Sequence, residues 1–102
     1  KLNRSHLIHG ETALILPCLG HSDIDRQAAG EQFVTTENTT GVVQMSKGVV
    51  EPLSDQMRSE PAIVAGVAKA TLGSRSAVDW DALVANYDRI RELIEQTIEG
   101  FG

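Results

Sequence analysis

The residues of this chain whose types could do chemistry gather in three places. In "TALILPCLGHSDIDRQ", residues 12–27, an apolar run ending at Pro17 leads within a few residues to Cys18, His21, Asp23 and Asp25. Near the start, His6 and His9 are three apart and share a face if the segment is helical. Farther on, Ser59 and Glu60 precede Pro61 at what reads as a helix start. Imidazole and thiolate suit zinc, because each offers a lone pair from an accessible protonation state near neutral pH. The spacing of His6, His9, Cys18 and His21 matches no zinc signature, and no His-Glu-x-x-His run is present. Three readings of residues 12–27 therefore compete: a metal site, a strand end that contacts a cofactor, and an ordinary polar loop.

Other chemistries find less support. Cys18 could be activated by His21, but no third orienting group is evident, and a free cysteine after a buried strand is usually inert. Asp23 and Asp25 point the same way only if their segment is extended. No glycine pattern that cradles phosphate occurs, neither Gly-x-Gly-x-x-Gly nor a P-loop. At the helix start, Glu60 sits where free backbone N–H groups and the positive end of the dipole gather; a simple capping role is the plain alternative.

These residues need a scaffold, and the composition allows one. The 102 residues suffice for one modest domain, and 41% apolar with 23% charged residues is globular. A net charge of −5 argues against a general nucleic-acid or anionic-membrane binder, since both need a basic face. No window approaches the roughly 20 apolar residues of a membrane span. The single cysteine rules out a disulfide within these residues and fits a reducing compartment, so a cytoplasmic setting is expected. The chain begins at Lys1, in the middle of what reads as an element, and is expected to be an internal piece of a longer one.

The elements follow from local signals. Residues 3–10 read as a short helix ended by Gly10. "ALILP" is continuously apolar and too short for a helix, as expected of a strand buried on both faces. "SDIDRQAAGE" reads as a polar connection. Residues 33–51, rich in Val and Thr and broken at Asn38–Gly41 and Lys47–Gly48, read as two or three antiparallel strands. Ser59 or Glu60 caps a helix with Pro61 in its first turn, in which Ile63, Val64, Val67 and Leu72 form an apolar face, ended by Gly73. Asp79 caps a longer helix with Trp80, Leu83, Val84, Tyr87, Ile90, Ile94 and Ile98 at helical spacing. The expected fold class is α/β, or α+β as a fragment: residues 1–58 carry the strand and hairpin and residues 59–102 the helices, together one partial domain.

Four blocks taken in order carry a resemblance: "KLNRSHLIHGETALILPCLG", "GEQFVTTENTTGVVQMSKGVVEP", "RSEPAIVAGVAKATLG" and "DWDALVANYDRIRELI". Together they resemble the molybdopterin oxidoreductases, in the branch of the formate dehydrogenase alpha subunit. In that family a buried strand ends in a Leu-Pro pair, followed by an acidic loop, a hairpin, and a capped helix start. Leu16-Pro17, Asp23-Ile24-Asp25, Gln32 to Gln44 and Ser59-Glu60 match these elements. Two departures stand out. The Asn-x-Glu-Gly-Arg hairpin of many members is Thr35-Thr36-Glu37-Asn38-Thr39 here, and a Lys common in their acidic loop is replaced by Ile24.

The resemblance favours the strand-end reading and implies a ligand, molybdopterin guanine dinucleotide. It implies that Glu60, with Ser59, Asp23 and Asp25 nearby, contributes to binding it, Glu60 accepting from the guanine N1–H and amino group. The family's molybdenum ligand, its neighbouring His and Arg, and any iron–sulfur cysteines have no counterpart here. The chain alone is thus expected to be non-catalytic and to hold no cofactor. The resemblance implies that the intact protein oxidises formate or a similar small substrate at a bis-molybdopterin guanine dinucleotide molybdenum centre, with any iron–sulfur cluster elsewhere in the chain. Its expected partners are the rest of that chain and the dinucleotide, not nucleic acid or membrane, with self-association of the isolated piece. The alternative is a stand-alone acidic α/β module that binds a partner protein through the Trp80/Tyr87 helix.

Overall fold

The computed structural model describes Ser5, Ile8 and residues 10–101. The expected helix over residues 3–10 and the pair His6 and His9 therefore lie outside the described residues, apart from Ser5, Ile8 and Gly10. Two antiparallel hairpins come first. Strands β1 (Asp25–Gln27) and β2 (Gly30–Gln32) pair with Asp25 opposite Gln32, and β3 (Val34–Glu37) and β4 (Val43–Ser46) with Val34 opposite Ser46. Three helices follow: α1 (Glu60–Leu72), α2 (Trp80–Ala85) and α3 (Asp88–Thr97), with a short 3-10 turn at Gly73–Arg75. The mixed α/β class expected from the sequence is what the structure shows, in α+β form.

Local chemistry explains the elements. The Asn38 side-chain oxygen accepts from the Thr40 and Val42 N–H groups at 2.9 and 3.1 Å, which builds the β3–β4 turn. Gly30, at φ 107°, starts β2 directly after the Ala28-Ala29 turn, in a conformation that strains any L side chain. Ser59 caps α1 by accepting from Ala62 N–H at 3.3 Å, Pro61 fits its first turn, and Gly73 ends it.

Three expectations need correction. Residues 12–17 form no strand: the segment lacks a strand partner until Cys18 bridges Arg58 in parallel, and Leu14 is 82% exposed. Apolar side chains on both faces need layers on both sides, and the described residues supply neither. The polar connection after Gly20 is instead the β1–β2 hairpin. The long last helix is broken at Asn86 and Tyr87, where the Asn86 side chain accepts from Asp88 N–H at 2.9 Å and restarts the helix as α3.

Long-range ties join the parts. Ile24 N–H donates to the Val50 carbonyl at 2.8 Å, and Val49 and Val50 N–H both donate to Ser22, each at 2.9 Å. Arg58 N–H donates to Pro17 and Leu19 N–H to Arg58, at 3.0 and 2.9 Å, so the start of α1 is laid against the end of the apolar run. Lys69 of α1 meets Asp81 of α2 at 2.7 Å, and Arg26 clamps Glu51 through two 2.7 Å hydrogen bonds. The apolar core is thin. Among the described residues only Ala65 and Tyr87 are buried apolar side chains, while Val64 and Val67 of α1 face outward. No helix among the described residues is long and apolar enough to cross a membrane.

Candidate functional site

A cavity of about 120 Å³ opens where the loop before β1, the strand β2 and the start of α1 converge. Asp23, Asp25, Ser59 and Glu60 all line it, so four residues scattered over the sequence share one wall. His21, Gln32 and Phe33 line it as well. Asp23 arrives from the turn after Gly20, whose N–H donates to the Asp23 Oδ2 at 2.7 Å. Asp25 opens β1, and Glu60 is the first residue of α1.

These four side chains are not equally available. Asp25 Oδ2 accepts from the Tyr87 hydroxyl at 2.5 Å and its Oδ1 from the Gln27 amide at 2.6 Å. Ser59 Oγ lies 2.6 Å from the Tyr87 hydroxyl while also capping α1, and it is 5% exposed. Asp25 and Ser59 are therefore committed to the protein. Glu60 is exposed and, among the described residues, makes no hydrogen bond or ion pair; the second oxygen of Asp23 is likewise unengaged. The open acceptors at the cavity are Glu60 and one oxygen of Asp23.

Two buried residues outside the expected site set support the wall, Gln32 from within it and Tyr87 from behind it. Gln32, 7% exposed, accepts from Tyr87 N–H at 2.9 Å and donates to Gly30 at 3.1 Å. Tyr87, 2% exposed, does not touch the cavity but bonds to both Asp25 and Ser59. Its phenol is pushed upward, first by burial and then by its hydrogen bond to Asp25. The only sequence signal for Tyr87 was its place in an apolar helical stripe, which says core and not hydroxyl.

Cys18 and His21 do not form a reactive pair. The Cys18 thiol is pushed up by burial and then by the charge of Glu60, the wrong direction for a nucleophile. Its Sγ faces its neighbour's carbonyl at 3.4 Å. No cluster of three or more metal-ligating side chains exists among the described residues.

An acidic wall with open acceptors suits a ligand that presents hydrogen-bond donors and repels one that presents phosphate. Over 100 residues the chain is 44% identical to an uncharacterized oxidoreductase of Mycobacterium tuberculosis, covering 98% of this chain and 13% of that protein. The chain is similar to one segment of a larger oxidoreductase. Protein YdeP of Escherichia coli is 46% identical over 101 residues, with 99% of this chain and again 13% of the relative covered. An uncharacterized oxidoreductase of Mycobacterium bovis is 44% identical over 100 residues, covering 98% of this chain and 13% of that protein. No family model matches the chain, and no solved structure matches it.

Proposed function

We propose that this chain is a segment of a molybdopterin-dependent oxidoreductase of formate-dehydrogenase type, and that it helps hold the guanine end of a molybdopterin guanine dinucleotide. The observation that carries the reading is Glu60: an unpartnered carboxylate at the start of α1, on a cavity it shares with Asp23. A guanine edge offers an N–H and an amino group side by side, and a carboxylate accepts both in a bidentate pair.

The chemistry of the wall fits the base and not the phosphates. Asp23, Asp25 and Glu60 make the cavity acidic, so a pyrophosphate belongs outside it. At about 120 Å³ the cavity is below the roughly 300–1,000 Å³ of pockets that enclose whole drug-sized ligands, and it takes one end of a dinucleotide. When bound, the molybdenum cofactor supplies two-electron oxidation of formate to carbon dioxide. The residues of this chain bind and orient its nucleotide end. The outward apolar side chains, from Leu14 through Val64 and Val67, are covered in this reading by the remainder of the longer polypeptide.

The test is guanine nucleotide and molybdenum content per full-length chain. Glu60→Ala removes a charge-assisted acceptor worth about 1.5–3 kcal/mol and should weaken retention roughly ten- to hundredfold. Glu60→Gln should do nearly as much harm, because its amide turns a donor toward guanine donors. Full retention in both variants would leave Glu60 as a helix cap.

A further inference from the structure

We propose that Tyr87 is a positioning residue for the candidate site: its buried hydroxyl sets the placement of Asp25 and Ser59, and through Ser59 the start of α1 that carries Glu60. The inference rests on the reading that the cavity holds the base of a guanine nucleotide.

The hydrogen atoms assign the direction of the network. A phenol has one hydrogen, and the carboxylate of Asp25 can only accept, so Tyr87 gives that hydrogen to Asp25 at 2.5 Å. The 2.6 Å contact between Ser59 and Tyr87 is then a donation from the Ser59 hydroxyl to the phenol oxygen. That leaves the lone pairs of Ser59 Oγ for the Ala62 N–H, which is the cap of α1. The chain therefore runs one way, from Ser59 through Tyr87 to Asp25.

Removing the phenol oxygen breaks both links. Ser59 is 5% exposed and cannot turn its hydrogen to water, so it must re-aim and compromise the cap. Asp25 loses one of its two side-chain donors and keeps Gln27. Tyr87 is itself held by the amide of Gln32, which accepts its backbone N–H at 2.9 Å, and it sits in the break between α2 and α3. The placement of the last two helices is thus read out at the cavity wall by a residue that does not line the cavity.

The experiment compares guanine nucleotide released by acid from the full-length wild type and from Tyr87→Phe, Glu60→Ala, Ser59→Ala and the double variant Ser59→Ala/Tyr87→Phe. All are held well below their melting temperatures. Tyr87→Phe should retain about tenfold less, the equivalent of one buried hydrogen bond. The double variant should lose no more than Ser59→Ala alone, since both changes break the same chain. If Tyr87→Phe retains wild-type nucleotide while Glu60→Ala loses it, or if the two losses simply add, the positioning role is overturned and the site reading stands. A wild type without guanine nucleotide, or full retention in Glu60→Ala, overturns the site reading and this inference with it. Should Tyr87→Phe fail to fold, Asp25→Ala removes the acceptor of the phenol hydrogen from the other end and is held to the same outcomes.

Discussion

Gly48 lies directly on the backbone of Asp23: a methyl group placed on Gly48 would stand 1.8 Å from the Asp23 carbonyl oxygen and 2.2 Å from its carbon. Both atoms are main chain and cannot swing aside. The contact presses the chain after β4 against the loop that brings Asp23 to the cavity, and the Val49 and Val50 N–H bonds to Ser22 continue it.

Gly48→Ala should therefore destabilise the chain by at least about 1–3 kcal/mol, the usual penalty for overpacking. Gly66→Ala is the control. Gly66 lies inside α1 with nothing within 4 Å of an added Cβ, and the change should stabilise by about 0.5–1 kcal/mol through helix propensity. Thermal melts of the two variants should shift in opposite directions; equal shifts would mean that the Gly48 contact is not tight.

Alkaline pH should act through Tyr87. Its folded phenol is raised by burial and by Asp25, so the native state holds this proton more tightly than the unfolded chain does. Stability from this source is complete below the ordinary tyrosine value of about 10 and is lost as pH rises above it. Denaturant titrations at about pH 8 and about pH 11 should show the loss in wild type and a smaller one in Tyr87→Phe. An identical pH dependence in both proteins would remove Tyr87 as the cause.

The isolated 102 residues should self-associate. Leu14, Leu53 and Val49 are more than four-fifths exposed, and residues 12–16 have no strand partner among the described residues. Light scattering should report dimers or larger species at high concentration. A clean monomer there would contradict this.

Metal should make no difference to the isolated chain. No group of three or more metal-ligating side chains exists among the described residues, and a structural zinc needs four. Elemental analysis should give far less than one zinc per chain, and chelator should leave the melting temperature unchanged. Stoichiometric zinc, lost in His9→Ala, would assign a site to the histidines.

What the sequence made legible was what local chemistry decides. Ser59, Pro61 and Gly73 delimit α1 by themselves, and Asn38 specifies the β3–β4 turn through its own side chain. The β1–β2 hairpin was hidden because its strands are three residues each and almost wholly polar, with no alternation to read. The break between α2 and α3 was hidden for the opposite reason. The apolar period runs straight through it, and distant side chains, Asp25, Gln27, Gln32 and Ser59, hold Tyr87 in the break. The segment 12–17 reads as an inner strand but has no strand partner among the described residues, because sheet pairing depends on neighbours that a local window does not reveal. Asp23, Asp25, Ser59 and Glu60 do line one cavity, yet resemblance and not spacing grouped them. Residue types alone did not show that two of them are consumed by the protein.

The bond from Tyr87 to Asp25 spans 62 residues of sequence. Closing so long a loop costs entropy that only the finished contact repays, so this link forms late in folding. During synthesis the hairpin and the capped start of α1 leave the ribosome before their anchor does. For that interval Asp25 and Ser59 lack their shared partner, and a chain stopped before residue 87 never acquires it. Assembly of the cavity wall thus waits on completion of α2 and the break that holds Tyr87.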